Sequence, residues 1–67
     1  MTRELLNSLS EPIRNRIEYL KENASDPRYR ELYVNKALGY IEGLRDAGVI
    51  TENERKAIFC YVSLSAK

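Results

Sequence analysis

The string Gly48-Val49-Ile50-Thr51-Glu52-Asn53-Glu54 limits what this chain can fold into more than any other stretch. Threonine followed three residues later by glutamate is a capping box. The Thr51 hydroxyl accepts from the Glu54 N–H, and the Glu54 carboxylate accepts from the Thr51 N–H. Two of the donors that a helix start leaves without partners are thereby satisfied. Just upstream, Gly48 closes a stretch of helical periodicity, at the position where left-handed backbone is easiest for a residue without a Cβ. A helix that stops at Gly48 and another that starts at Thr51 make an αα-hairpin, so the predicted fold class is all-α.

The rest of the chain supplies partners for that hairpin. Tyr29, Tyr33, Ala37, Tyr40 and Leu44 follow one another at three- or four-residue steps, and Val34, Leu38 and Ile41 form a second apolar row beside them. Only Glu31, Asn35, Gly39, Glu42 and Asp46 make a clearly polar arc, so this helix requires two neighbours. Asp26 before Pro27 predicts its start, as an N-cap followed by a first-turn proline. A preceding helix is expected to open at Ser10-Glu11-Pro12 with Ser10 as its cap. It would bury Ile13, Ile17 and Leu20 and leave Arg14, Glu18, Lys21 and Glu22 as a solvated face. Leu5, Leu6 and Leu9 share one face of a short helix within Thr2 to Leu9. The architecture predicted is a three-helix bundle with a short fourth helix at the N-terminus, forming a single domain over residues 1–67.

The last segment reads two ways. Ala57-Ile58-Phe59-Cys60-Tyr61-Val62 is an unbroken apolar run whose residues are also strand-prone, and a short run of this kind cannot be assigned by period alone. The capping box before it favours a helix, ending in a loose Ser63-Leu64-Ser65-Ala66-Lys67. Successive helical residues are about 100° apart, so these six side chains point all around the axis. With Ile58 and Tyr61 turned to the helix of Tyr40 and Leu44, Phe59 and Val62 are expected together on another side.

Composition narrows the functional classes. With 43% hydrophobic and 31% charged residues the chain has the apolar surface that disordered chains lack. A net charge of +1 offers no electrostatic footprint for duplex DNA or an anionic membrane, although a local patch can still form on folding. No apolar run reaches the length of about 18 residues that a membrane span needs, and Met1-Thr2-Arg3-Glu4-Leu5 lacks the layout of a secretory signal. One cysteine makes no internal disulfide, which favours a reducing compartment, and a cytoplasmic location is expected. Without histidine and with a single thiol, no ligand set for a structural zinc is present, and no metal or other cofactor is expected.

Each candidate for chemistry has a plainer explanation. Cys60 has no histidine to hold it as thiolate, so it reads as a small packed apolar residue. Glu52 with Glu54, and Glu42 with Asp46, are paired carboxylates. The first pair suits a helix N-terminus, and the second lies on a face that must be wet. With no nucleophile, base and orienting partner gathered, no enzymatic activity and no catalytic residue are expected. Tyr19, Tyr29, Tyr33, Tyr40 and Tyr61 interleave with Arg28, Arg30, Lys36 and Arg55, a composition that binds bases, yet Tyr29, Tyr33 and Tyr40 follow the core stripe, where packing accounts for them. A helix-turn-helix DNA reader is the alternative function, but its recognition helix would open on two carboxylates facing phosphates.

From Ile41 to Glu54 the hairpin resembles the short C-terminal oligomerisation domains called SHOCT, in its leucine, glycine, aliphatic residue, threonine and glutamate. At Arg55 it departs from them, where that family has an aromatic residue, so the likeness is confined to the turn. What the residues predict is a non-enzymatic protein–protein interaction module, an adaptor, inhibitor or regulator with a protein partner. The brevity of a reading frame opening at Met1 points to a bacterial, phage or plasmid setting. Self-association as a homodimer is expected through Phe59 and Val62, continued by Val34 and Leu38, with Arg55 one turn before them.

Overall fold

A computed structural model describes residues 2–64. Among them the chain forms four helices and no strand: α1 (Thr2–Ser8), α2 (Glu11–Ala24), α3 (Arg30–Asp46) and α4 (Glu52–Leu64). This is a small all-α bundle, and the run from Ala57 to Val62 is helical throughout. Of the loose tail expected at Ser63-Leu64-Ser65-Ala66-Lys67, Ser63 and Leu64 belong to α4, where the Ser63 hydroxyl donates to the Phe59 carbonyl at 2.9 Å, while Ser65, Ala66 and Lys67 lie outside the described residues, as does Met1.

The turn from α3 to α4 follows the local chemistry. Gly48 has φ 78°, the left-handed region that favours glycine. Its N–H donates to the Arg45 carbonyl at 3.0 Å, and the Val49 N–H donates to the Leu44 carbonyl at 2.9 Å. These two bonds constitute a Schellman motif and satisfy carbonyls that the end of α3 would leave open. Three residues on, the Thr51 N–H donates to Glu54 Oε1 at 2.7 Å and the Glu54 N–H donates to Thr51 Oγ1 at 3.1 Å, closing the capping box. Ile50, between the two motifs, is 4% exposed and ties the turn to the core.

The start of α3 differs from the expectation. Asp26 is not its N-cap, because α3 begins at Arg30 and Tyr29 precedes it as cap without a side-chain bond. The Asp26 carboxylate instead accepts from the Arg28 N–H at 3.0 Å and from the Arg28 guanidinium at 3.0 Å, and the Tyr29 N–H donates to the Asp26 carbonyl at 3.0 Å. A carboxylate engaged two residues ahead forms a turn of its own and delays the helix. Ser10 also differs in detail: its side chain makes no cap bond, and its carbonyl accepts from the Arg14 N–H at 2.9 Å.

Leu6, Ile17, Leu20, Ala24, Ala37, Ile41, Ile50, Ile58 and Val62 form the core, to which all four helices contribute, and no polar or charged side chain among the described residues is buried with them. Fully burying each large aliphatic residue contributes about 1.5–3 kcal/mol. Helix α3 packs on both α2 and α4, the two neighbours its broad apolar arc requires, and α1 packs on α4. Two expectations for α4 are corrected. Val62 is completely buried, because it stands four residues from Ile58 and shares its inward face. Cys60 is exposed rather than packed, since the residue two on from Ile58 lies on the far side of the helix.

Candidate interaction surface

Not all of the residues expected to form a self-association patch lie at the surface. Val62 belongs to the core. Val34, Leu38 and Phe59 are half-buried, and Val34 and Phe59 pack against the core. The side chain of Arg55 is only 16% exposed, and its guanidinium is bound to Glu52 through Nε at 2.9 Å and Nη2 at 2.8 Å. Arg45 reaches the same carboxylate from α3 at 2.7 Å, so Glu52 clamps the two arms of the hairpin. The Arg55 and then the Arg45 hydrogen bonds hold the Glu52 carboxyl at about 2, well below the glutamate range. The carboxylates at the start of α4 are therefore structural: Glu54 caps and Glu52 bridges.

A second polar cluster joins α1, α2 and α4 around Tyr61. This residue was expected to face α3, but its hydroxyl donates to Glu18 Oε1 at 2.6 Å, and Arg3 donates to the same hydroxyl at 3.3 Å. Lys21 Nζ lies 4.7 Å from the centre of the ring. Glu18 and Lys21 are thus not simply a solvated face. Their i, i+3 spacing places both against one tyrosine of α4.

The third arrangement crosses from α2 to α3 on the outside of the bundle. Arg16 Cζ lies 5.7 Å from the Tyr19 ring centre. The Tyr19 ring meets that of Tyr33 edge-on, with centres 6.1 Å apart and planes at 78°. Lys36 Nζ lies 5.3 Å from the Tyr33 ring centre. Each cation is three residues from its own tyrosine, the spacing that brings helical side chains together, and the packing of α2 on α3 joins the two pairs. The neighbouring Tyr19 phenol favours the protonated Tyr33 hydroxyl and raises its pKa. At one end of this row Arg28 lies over Tyr29, its Cζ 5.4 Å from the ring centre, while Asp26 holds the guanidinium.

This surface is exposed, as are Val49 in the α3–α4 turn and Leu64 in α4. Tyr19 is 48% exposed, Tyr29 47% and the neighbouring Leu32 50%. Tyr29 is therefore not part of the core stripe, because α3 begins after it. Tyr33 and Tyr40 are half-buried and pack against the core. Sequence reasoning missed Arg16 altogether and read Tyr33 as packing alone. The signals were Arg16 three before Tyr19 and Lys36 three after Tyr33, which acquire meaning only when the two helices are laid side by side.

Among the described residues there is no pocket, no cluster of three or more potential metal ligands, and no helix long and apolar enough to cross a membrane. Fold and surface together define a small four-helix bundle that presents an aromatic and cationic row to solvent. No family model, curated protein or solved structure matches the chain.

Proposed function

We propose that the chain is a non-enzymatic protein–protein interaction module, an adaptor, inhibitor or regulator that works through a helix surface rather than a pocket. The observation that carries this reading is that three of the five exposed large hydrophobic side chains among the described residues, Tyr19, Tyr29 and Leu32, belong to α2, α3 and the connection between them, with Val49 and Leu64 elsewhere. Tyrosine and arginine dominate the energetics of protein interfaces, and contiguous apolar surface left in water usually marks one. Self-association through α4 has less support than its sequence suggests, because burial of Val62 and pairing of Arg55 remove two of its five contributors. Helix-turn-helix DNA recognition would place Glu52, a bridge within the hairpin, toward phosphates.

The test is photo-crosslinking in the native host, with benzoylphenylalanine replacing Leu32 in one variant and Lys56 in another. A discrete protein adduct from position 32 and none from position 56 is expected. Absence of any protein adduct from position 32 contradicts the reading.

A further inference from the structure

We propose that the row Arg16, Tyr19, Tyr33 and Lys36 is the docking site for an acidic segment of the partner protein, one that carries carboxylates beside an aromatic or large aliphatic residue. The inference rests on the interaction-module reading and names the partner's chemistry.

Charge complementarity selects this occupant. Arg16 and Lys36 are exposed, and among the described residues neither has a carboxylate within ion-pair distance, whereas Arg28, Arg45 and Arg55 each do. On the flank of Tyr19 that Arg16 occupies, helical spacing adds Pro12 and Asn23. Beside Tyr33 and Lys36 it adds Tyr29, Leu32 and Tyr40, with no acid among them. Asp26, at the Tyr29 end of the row, is held by Arg28, and Glu22, one turn after Tyr19, lies on the flank away from Arg16. Two cations without a carboxylate partner thus stand on one aromatic strip.

Geometry separates carboxylates from nucleobases as the ligand. A single-stranded nucleic acid stacks bases on free ring faces. Here the rings of Tyr19 and Tyr33 each already carry a cation and touch each other by edge and face. The rings restrain the cations, so less side-chain freedom is lost when a carboxylate binds. Leu32, one turn before Lys36 and 50% exposed, remains for an apolar residue of the partner beside its acids.

The experiment is fluorescence anisotropy of the full chain with three labelled probes: a short peptide of repeated Asp-Glu-Phe, its Lys-Lys-Phe counterpart, and an oligothymidine. The acidic peptide should bind and the basic one should not. Binding should weaken with added salt, and about tenfold or more when Arg16→Gln and Lys36→Gln are combined, while Lys56→Gln, which removes one exposed cation outside the row, leaves it nearly unchanged. Circular dichroism of each variant checks that helicity is retained, and Tyr19→Ala gives an independent uncharged test of the same row. Tighter binding of oligothymidine than of the acidic peptide, absence of peptide binding, or peptide binding indifferent to the paired glutamines overturns the proposal. If peptide binding is absent while position 32 still crosslinks to a protein, only the acidic chemistry fails. If crosslinking is also absent, the module reading fails with it.

Discussion

The two ends of α3 solve the same problem by different means. At its C-terminal end the turn to α4 is closed by Gly48, Thr51 and Glu54, and Ile50 is buried beneath it. At its N-terminal end the connection from α2, residues 25–29, buries no residue, and Asp26 bonds forward to Arg28 instead of capping the helix. The first end is anchored by chemistry within seven residues of sequence. The second depends on how α2 and α3 lie against each other, and it carries the exposed aromatic and cationic row. Stability and surface presentation are in this way assigned to opposite ends of one helix.

The largest effect expected is at the anchored end. Gly48→Val places a β-branched residue at φ 78°, and although no atom lies within 4 Å of the added Cβ, the backbone conformation itself should cost about 2 kcal/mol. A thermal melt with an unchanged midpoint would remove the Schellman turn from the account. Thr51→Ala should cost about 1 kcal/mol in the same measurement, through loss of the hydroxyl that accepts from Glu54.

Gly39→Ala acts in the opposite direction. The glycine lies inside α3 on its exposed arc, with nothing within 4 Å of the place an added methyl would take, so alanine should stabilise by up to about 1 kcal/mol through helix propensity alone. Loss of stability would mean that this arc is covered by a partner or a second copy.

Acid titration sharpens the comparison further. The Glu52 carboxyl sits at about 2 in the folded protein, against 4.5 for an ordinary glutamate. A depressed folded value means that its stabilisation is fully present above the ordinary value and is lost as pH falls from there through about 2. Glu52→Gln should therefore flatten the acid limb of the stability curve in that window. The smallest effect expected is for Asp26→Ala, whose partner Arg28 is exposed. Its melting midpoint should shift less than that of Thr51→Ala, and an equal shift would make the two ends of α3 energetically alike.

How much was legible in the sequence follows the same division. The hairpin, the all-α class and the buried residues Leu6, Ile17 and Leu20 of α1 and α2 are visible because the turn's caps and the helical periods are local. The start of α3 is not, because Asp26 has two competing uses and only the structure shows that Arg28 takes it. The orientation of α4 is hidden for another reason: with apolar residues on every side from Ala57 to Val62, packing against the other helices decides that Val62 goes in and Cys60 out. The aromatic row needed the α2–α3 register, since neither Arg16 with Tyr19 nor Tyr33 with Lys36 is a surface by itself. The Glu52 bridge was half visible, as an acid at a helix start, without its two arginines.

Native-state amide hydrogen exchange tests the division between the two ends most directly. The N–H groups of Gly48, Val49, Thr51 and Glu54, all bonded within the capped turn, should exchange slowly, while those of Asp26, Arg28 and Tyr29, bonded in a connection with no buried residue, should exchange markedly faster. Equal protection at the two ends, or slower exchange at Asp26 to Tyr29 than at Gly48 to Glu54, would contradict the account.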